Sequence, residues 1–148
     1  MRKLLLGLLL IAVSSPIFAQ PTKLTWRKLA TITFEEYFDE SREVWALEAI
    51  YPDDILALNG QEIYITGYVL PLDPKGNLYA LSAFPFSSCF FCGGAGPESV
   101  MGLEFAESPG HIPTDAVRTF KGRIILKAKP GEDFYFTLVD VEPYTPSS

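Results

Sequence analysis

The sequence has little of what metal and nucleic-acid chemistry usually draws on. Among 148 residues there are two cysteines and a single histidine. One chain therefore cannot assemble the four Cys and His ligands of a zinc finger or ribbon, and a tightly held metal needs carboxylates or a second chain. Cations are few as well: 12 Lys and Arg stand against 18 Asp and Glu, for a net charge of −6. Phosphate backbones are gripped mainly by Lys and Arg, so this balance opposes nucleic acid as a partner. An Asp-x-Asp-x-Asp-Gly calcium loop is missing. So are a Ser/His/Asp set and a phosphate-cradling glycine loop ahead of a helix, which leaves no enzyme class indicated. Internal repeats and linkers are absent too, and a chain of this length gives one domain as the expectation.

One long hydrophobic run is present, at the N-terminus. Met1-Arg2-Lys3 is a short basic start, residues 4–13 are almost unbroken in apolar character, and Ile17-Phe18-Ala19 ends in a small residue. That is the pattern of a secretory signal cleaved after Ala19. The run is about half the roughly twenty residues that a membrane-crossing helix takes. The expectation is a signal peptide over residues 1–19, a single domain over residues 20–148, and a periplasmic or secreted location. About 130 residues bury roughly two thirds of their unfolded surface, enough to fold without a covalent staple.

Within that domain, Thr25-Trp26-Arg27-Lys28-Leu29 reads as one helical turn capped by the Thr25 hydroxyl. Residues 31–50 read two ways: Thr33-Phe34-Glu35-Glu36 resembles a helix capping box and Phe34, Tyr37 and Phe38 fit helical spacing, while Ile32, Phe34 and Phe38, then Trp45, Leu47 and Ala49, alternate on either side of Asp39-Glu40-Ser41, which favours a hairpin. Tyr51-Pro52-Asp53-Asp54 through Asn59-Gly60 has acids at its start and a left-handed stop at its end, and so predicts a short helix. Residues 62–70 are the clearest strand, with Gly67 placed for a bulge or a sharp bend. Further strands are predicted over residues 78–83 and 100–105, and a last pair over 123–128 and 134–141. Residues 114–117 are too short and mixed to assign, and 143–148 read as a solvated tail. About five strands, one bent early at a glycine, predict a mainly β fold: a small antiparallel barrel like the oligonucleotide/oligosaccharide-binding (OB) fold, with short helices. A β-sandwich is the alternative.

The segment Cys89-Phe90-Phe91-Cys92-Gly93-Gly94-Ala95-Gly96-Pro97-Glu98-Ser99 is unlike the rest of the chain. Its glycines make regular structure improbable and place the two thiols at a strand-to-loop junction. Three chemistries fit a Cys-x-x-Cys pair in an exported protein. A structural disulfide would close so small a loop that it adds only about 2 kcal/mol. A redox dithiol prefers a helix N-terminus after the first cysteine, which Gly93 and Gly94 oppose. A soft-metal site would combine Cys89 and Cys92 with His111 or Glu98, and Zn or Cu is the ion such ligands select. Gly67, Gly93, Gly94 and Pro97 are expected to be structural.

Three stretches carry a family likeness. They are Thr25-Trp26-x-x-Leu29, the strand Ile65-Thr66-Gly67-Tyr68-Val69-Leu70-Pro71-Leu72, and the aromatic approach to Cys89. In these the chain resembles a family of small exported bacterial proteins known only as a domain of unknown function, numbered three thousand two hundred and ninety-nine. The family's common form runs Cys-x-His, then prolines and an amide pair. Here Cys89 falls on the family cysteine and Phe91 on its histidine. The second sulfur comes one residue later at Cys92, Pro97 is kept, and Glu98-Ser99 replace the amides. The resemblance implies an exported protein with a cysteine-centred site and supplies no reaction. The reading is a small binding protein whose cysteine loop binds a transition metal or undergoes thiol redox. Its rival is a structural accessory domain of an envelope protein complex or transporter, with a plain disulfide; a homo-oligomer is compatible with either.

Overall fold

Five strands pair edge to edge until the sheet closes on itself. The structure, a computed structural model, describes residues 20–73, 78–86 and 96–147. Its strands are β1 (Thr22–Lys23), β2 (Thr33–Asp39), β3 (Val44–Ile50), β4 (Glu62–Pro71), β5 (Tyr79–Ser82), β6 (Val100–Phe105), β7 (Val117–Leu126) and β8 (Phe136–Pro143). The helices are α1 (Trp26–Leu29) and α2 (Asp53–Leu56), with a 3-10 turn at Pro97–Ser99. Neighbouring strands run β4-β5-β6-β8-β7, and β7 pairs back onto β4. That closure makes a five-stranded OB-like barrel and disposes of the sandwich alternative.

The barrel is not antiparallel throughout, as the sequence reading had it. β6 and β8 run parallel, while β4·β5, β5·β6, β7·β8 and β4·β7 are antiparallel. The reason is parity: directions that alternate around a closed ring need an even number of strands, so a ring of five must contain one parallel contact. The Greek-key path puts that contact where the last strand slots in between β6 and β7.

Alternation fills the interior. Ile63, Ile65 and Val69 of β4 point inward with Tyr79, Leu81, Met101, Phe120 and Leu138 from the other strands, all buried. Gly67 shares that inward face, but it makes no bulge. β4 keeps an unbroken register with β7 from Glu62 to Tyr68 and with β5 from Tyr68 to Pro71. It is the close approach that needs glycine: a Cβ at Gly67 would lie 2.6 Å from the Ser82 carbonyl oxygen and 2.8 Å from Leu81 Cγ. The register shifts fall elsewhere, between Glu104 and Phe105 and between Lys121 and Arg123. At the second of these, Gly122 faces the Val139 carbonyl at 2.6 Å from a would-be Cβ, and Asp140 opposite takes φ 54°.

β7 starts at Val117, earlier than the strand predicted over 123–128, and residues 117–123 are the half that closes the ring on β4. The predicted tail is also partly docked. Pro143 ends β8, Tyr144 donates its N–H to Thr119 O at 3.0 Å, and its ring lies 4.9 Å from that of Tyr64.

The hairpin β2·β3 forms a separate two-stranded ribbon. Asp39 sets its turn, with Oδ1 accepting from Ser41 N (3.0 Å) and Ser41 Oγ (2.6 Å), while Arg42 Nε donates to Oδ2 at 2.8 Å. The Ser41 hydroxyl, then the Arg42 guanidinium, hold the Asp39 carboxyl down at about 2.

Candidate functional site

Cys89, Cys92, Gly93 and Gly94 lie outside the described residues, as does the expected signal peptide. The two ends of the 87–95 segment are described, and both are fixed. On the leading side, Phe84 N donates to Ser82 Oγ at 3.1 Å, and Phe86 N donates to Asp115 Oδ1 at 2.6 Å. Asp115 is itself held in the left-handed region at φ 61°, its N–H donating to Val69 O at 2.9 Å. A side chain on the β6–β7 loop thus anchors the β5–β6 connection.

On the trailing side, Gly96 caps the Pro97–Ser99 turn in an extended conformation. Pro97 suits the first position of that turn, because its missing N–H is not needed there. Ser99 bonds twice to Gly96 O, through its N–H at 3.0 Å and its Oγ at 2.7 Å, and its carbonyl accepts from Ala83 N at 2.9 Å. The loop is therefore closed at its base by the Ala83–Ser99 bond. Glu98 folds back so closely over Gly96 that its carboxylate fills the space a Cβ there would take.

Beside this base, α1 packs on the barrel. Thr25 Oγ1 accepts from Lys28 N at 3.3 Å, as the sequence predicted, and Trp26 Nε1 donates to Thr66 O at 2.8 Å. The Trp26 ring crosses the strand at Gly67, 3.2 Å from a would-be Cβ. Trp26, Arg27, Ala30, Ala83, Phe84 and Glu98 line a cavity of about 220 Å³. Its mixed wall of two aromatic rings, a guanidinium and a carboxylate abuts the point where the cysteine segment rejoins the barrel.

His111 stands in a different place. Its loop is tied down by Tyr79, a buried tyrosine whose hydroxyl donates to Gly110 O at 2.9 Å and accepts from Ile112 N at 3.3 Å, so that Ile112 plugs the core. His111 is exposed and lines an open cleft of about 860 Å³ with Phe105, Arg118, Phe120 and Glu142. Glu98 adjoins the Ser82–Val100 end of the β5·β6 pair, while His111 lies beside Tyr79 at the other end. The two proposed ligands are not brought into one cavity. Among the described residues, no three His, Cys, Asp or Glu side chains are grouped so as to hold a metal ion. Sequence reasoning missed Asp115, whose segment carried no periodic signal; its only sequence mark is an acidic residue in a loop flanked by Pro113 and Ala116.

Fold and loop together define the class: a small OB-like barrel carrying a two-cysteine segment on the connection between its second and third strands. The same fold is found in a DUF3299 family protein from Pseudomonas aeruginosa PAO1, whose crystal structure superposes with a TM-score of 0.52 over 88% of this chain and 100% of that one, at 14% identity. At that identity the likeness is one of fold, shared with a member of the family that the sequence resembles. No family model matches the chain, and no curated protein matches it.

Proposed function

We propose that the chain is an exported binding protein whose Cys89–Cys92 segment is a thiol site for a soft transition metal, Zn(II) or Cu(I), with Glu98 at its margin. Residues 1–19 support export, because a basic start, an apolar run and a small residue at Ala19 make a cleavable signal. One observation carries the site: both ends of the 87–95 segment are pinned to the barrel, by Phe86 on Asp115 and by Ala83 on Ser99. Fixed ends lower the entropy lost when two thiolates converge on one ion. Glu98, three residues from the trailing end, adds an oxygen ligand that Zn(II) accepts. The fourth position falls to a second copy of the chain, since His111 lines the cleft at the other end of the β5·β6 pair.

Titration of the reduced protein with Zn(II) and Cu(I) tests this. Stoichiometric binding is expected, lost in Cys89→Ser and in Cys92→Ser and retained in His111→Ala. Failure to bind either ion at micromolar concentration overturns the metal reading. A disulfide with a potential well above roughly −300 mV would then assign thiol redox to the pair. A disulfide as hard to reduce as structural ones would leave a loop staple worth about 2 kcal/mol and an accessory role in an envelope complex.

A further inference from the structure

The β2·β3 ribbon turns apolar side chains away from the protein while its inner side is firmly held. Phe38 and Trp45 are directly opposite in the register, as are Glu36 and Leu47, so these four share a face. Trp45 is 71% exposed and Phe38 48%, and their rings meet edge to face at 5.5 Å. The inner side is clamped at several points. Lys129 Nζ sits 4.3 Å over the Tyr37 ring and 3.0 Å from Glu48, both on the opposite face, and Tyr135 OH donates to Leu47 O at 2.8 Å, while the Phe34 and Tyr135 rings pack at 5.0 Å at the root of the ribbon, where the Phe38 face meets the barrel. The exposed tryptophan is thus presented on a fixed support.

The unpaired charges around it are of one sign. Arg42 is taken up by Asp39 and Lys129 by Glu48. Glu36, on the same face, and Glu40 and Glu43, in the turn, are exposed and have no cation within ion-pair distance among the described residues. An apolar patch centred on a tryptophan and rimmed by like charges has the composition of a protein-binding hot spot. Its unpaired carboxylates select a partner of opposite sign. A second copy docking face to face would bring these carboxylates together, and an anionic membrane surface would be repelled.

We propose that the outer face of the ribbon is a docking surface for a cationic protein segment, one that sets an apolar side chain against Trp45 and Phe38 and places Lys or Arg against Glu36, Glu40 and Glu43. The probe is a fluorescently labelled amphipathic peptide of leucine and lysine, with a leucine and glutamate peptide of the same pattern as its control, titrated by anisotropy against the purified chain. The lysine peptide is expected to bind and the glutamate peptide not. Trp45→Ala, and separately a variant with Glu36, Glu40 and Glu43 all changed to Gln, should each weaken binding by about tenfold or more. Both changes are on exposed positions, and unaltered circular dichroism checks that each variant is folded. Equal binding of the two peptides, or an unchanged affinity in Trp45→Ala, overturns the proposal. So does a concentration-dependent dimer that buries Trp45, which makes the occupant a second copy. A blue shift of Trp45 emission on phosphatidylcholine vesicles, absent with the lysine peptide, overturns it in favour of a membrane surface.

Discussion

Adding a single methyl at Gly67 tests how the barrel closes. In Gly67→Ala the new Cβ would stand 2.6 Å from the Ser82 carbonyl oxygen and 2.8 Å from Leu81 Cγ. Carbon and carbonyl oxygen ordinarily approach to about 3.3 Å, so β4 and β5 must part by about 0.7 Å. Neither neighbour can give way cheaply. The oxygen is main chain, on the residue that pairs with Tyr68, and Leu81 is fully buried. Overpacking a core costs about 1–3 kcal/mol, and two fixed neighbours put this site at the upper end, about 2–3 kcal/mol. In a domain of this size that lowers the thermal midpoint by roughly 10 °C. Gly110→Ala is the control: φ there is +69° with nothing within 4 Å of a Cβ, so only the left-handed backbone opposes the methyl, at about 1 kcal/mol. Urea unfolding followed by tryptophan emission reads both, because Trp26 is bonded to Thr66 beside the altered position. A Gly67→Ala midpoint equal to wild type, or a larger loss in Gly110→Ala, refutes the close-approach argument.

Tyr79→Phe removes the hydroxyl that serves both Gly110 O and the buried Ile112 N–H. Leaving those groups unpaired should cost about 1–3 kcal/mol and speed hydrogen exchange at the Ile112 amide; unchanged protection there would mean that the β6–β7 loop is held by something else. Tyr51 predicts an alkaline limit. Its burial pushes the hydroxyl up to about 12, and the two carbonyls that share its proton, Lys127 O and Tyr135 O, hold the neutral form as well, whereas an unfolded tyrosine ionises near 10. The unfolded chain therefore loses this proton first, and the stability held by the neutral ring is whole below about pH 10 and lost as pH rises toward 12. The thermal midpoint of Tyr51→Phe should fall less steeply across that window than that of wild type, and equal slopes would contradict the assignment.

What could be read from sequence was whatever repeats along one strand or is settled within a few residues. Ile63, Ile65 and Val69 carry the period of two that marks β4, Thr25 announces α1, and Asp39 makes its turn with its own next neighbours. What escaped depends on which strands become neighbours in space. The closing half of β7 shows almost no apolar pattern, because Phe120 is its one large inward side chain while Val117 and Arg118 lie exposed at the rim. The same limit governs the site. Cysteine spacing could nominate Cys89 and Cys92, but it could not show that the chain entering that segment is fixed by Asp115, 29 residues away from Phe86. Grouping His111 with Glu98 followed from there being a single histidine in the chain. The register of β5 on β6 instead sends the two residues to opposite ends of one strand pair. Alternation likewise identified Phe38 and Trp45 as strand residues without saying which face the rest of the protein would cover. Lys129 decides that by occupying the Tyr37 and Glu48 face, and so the aromatic pair stays exposed.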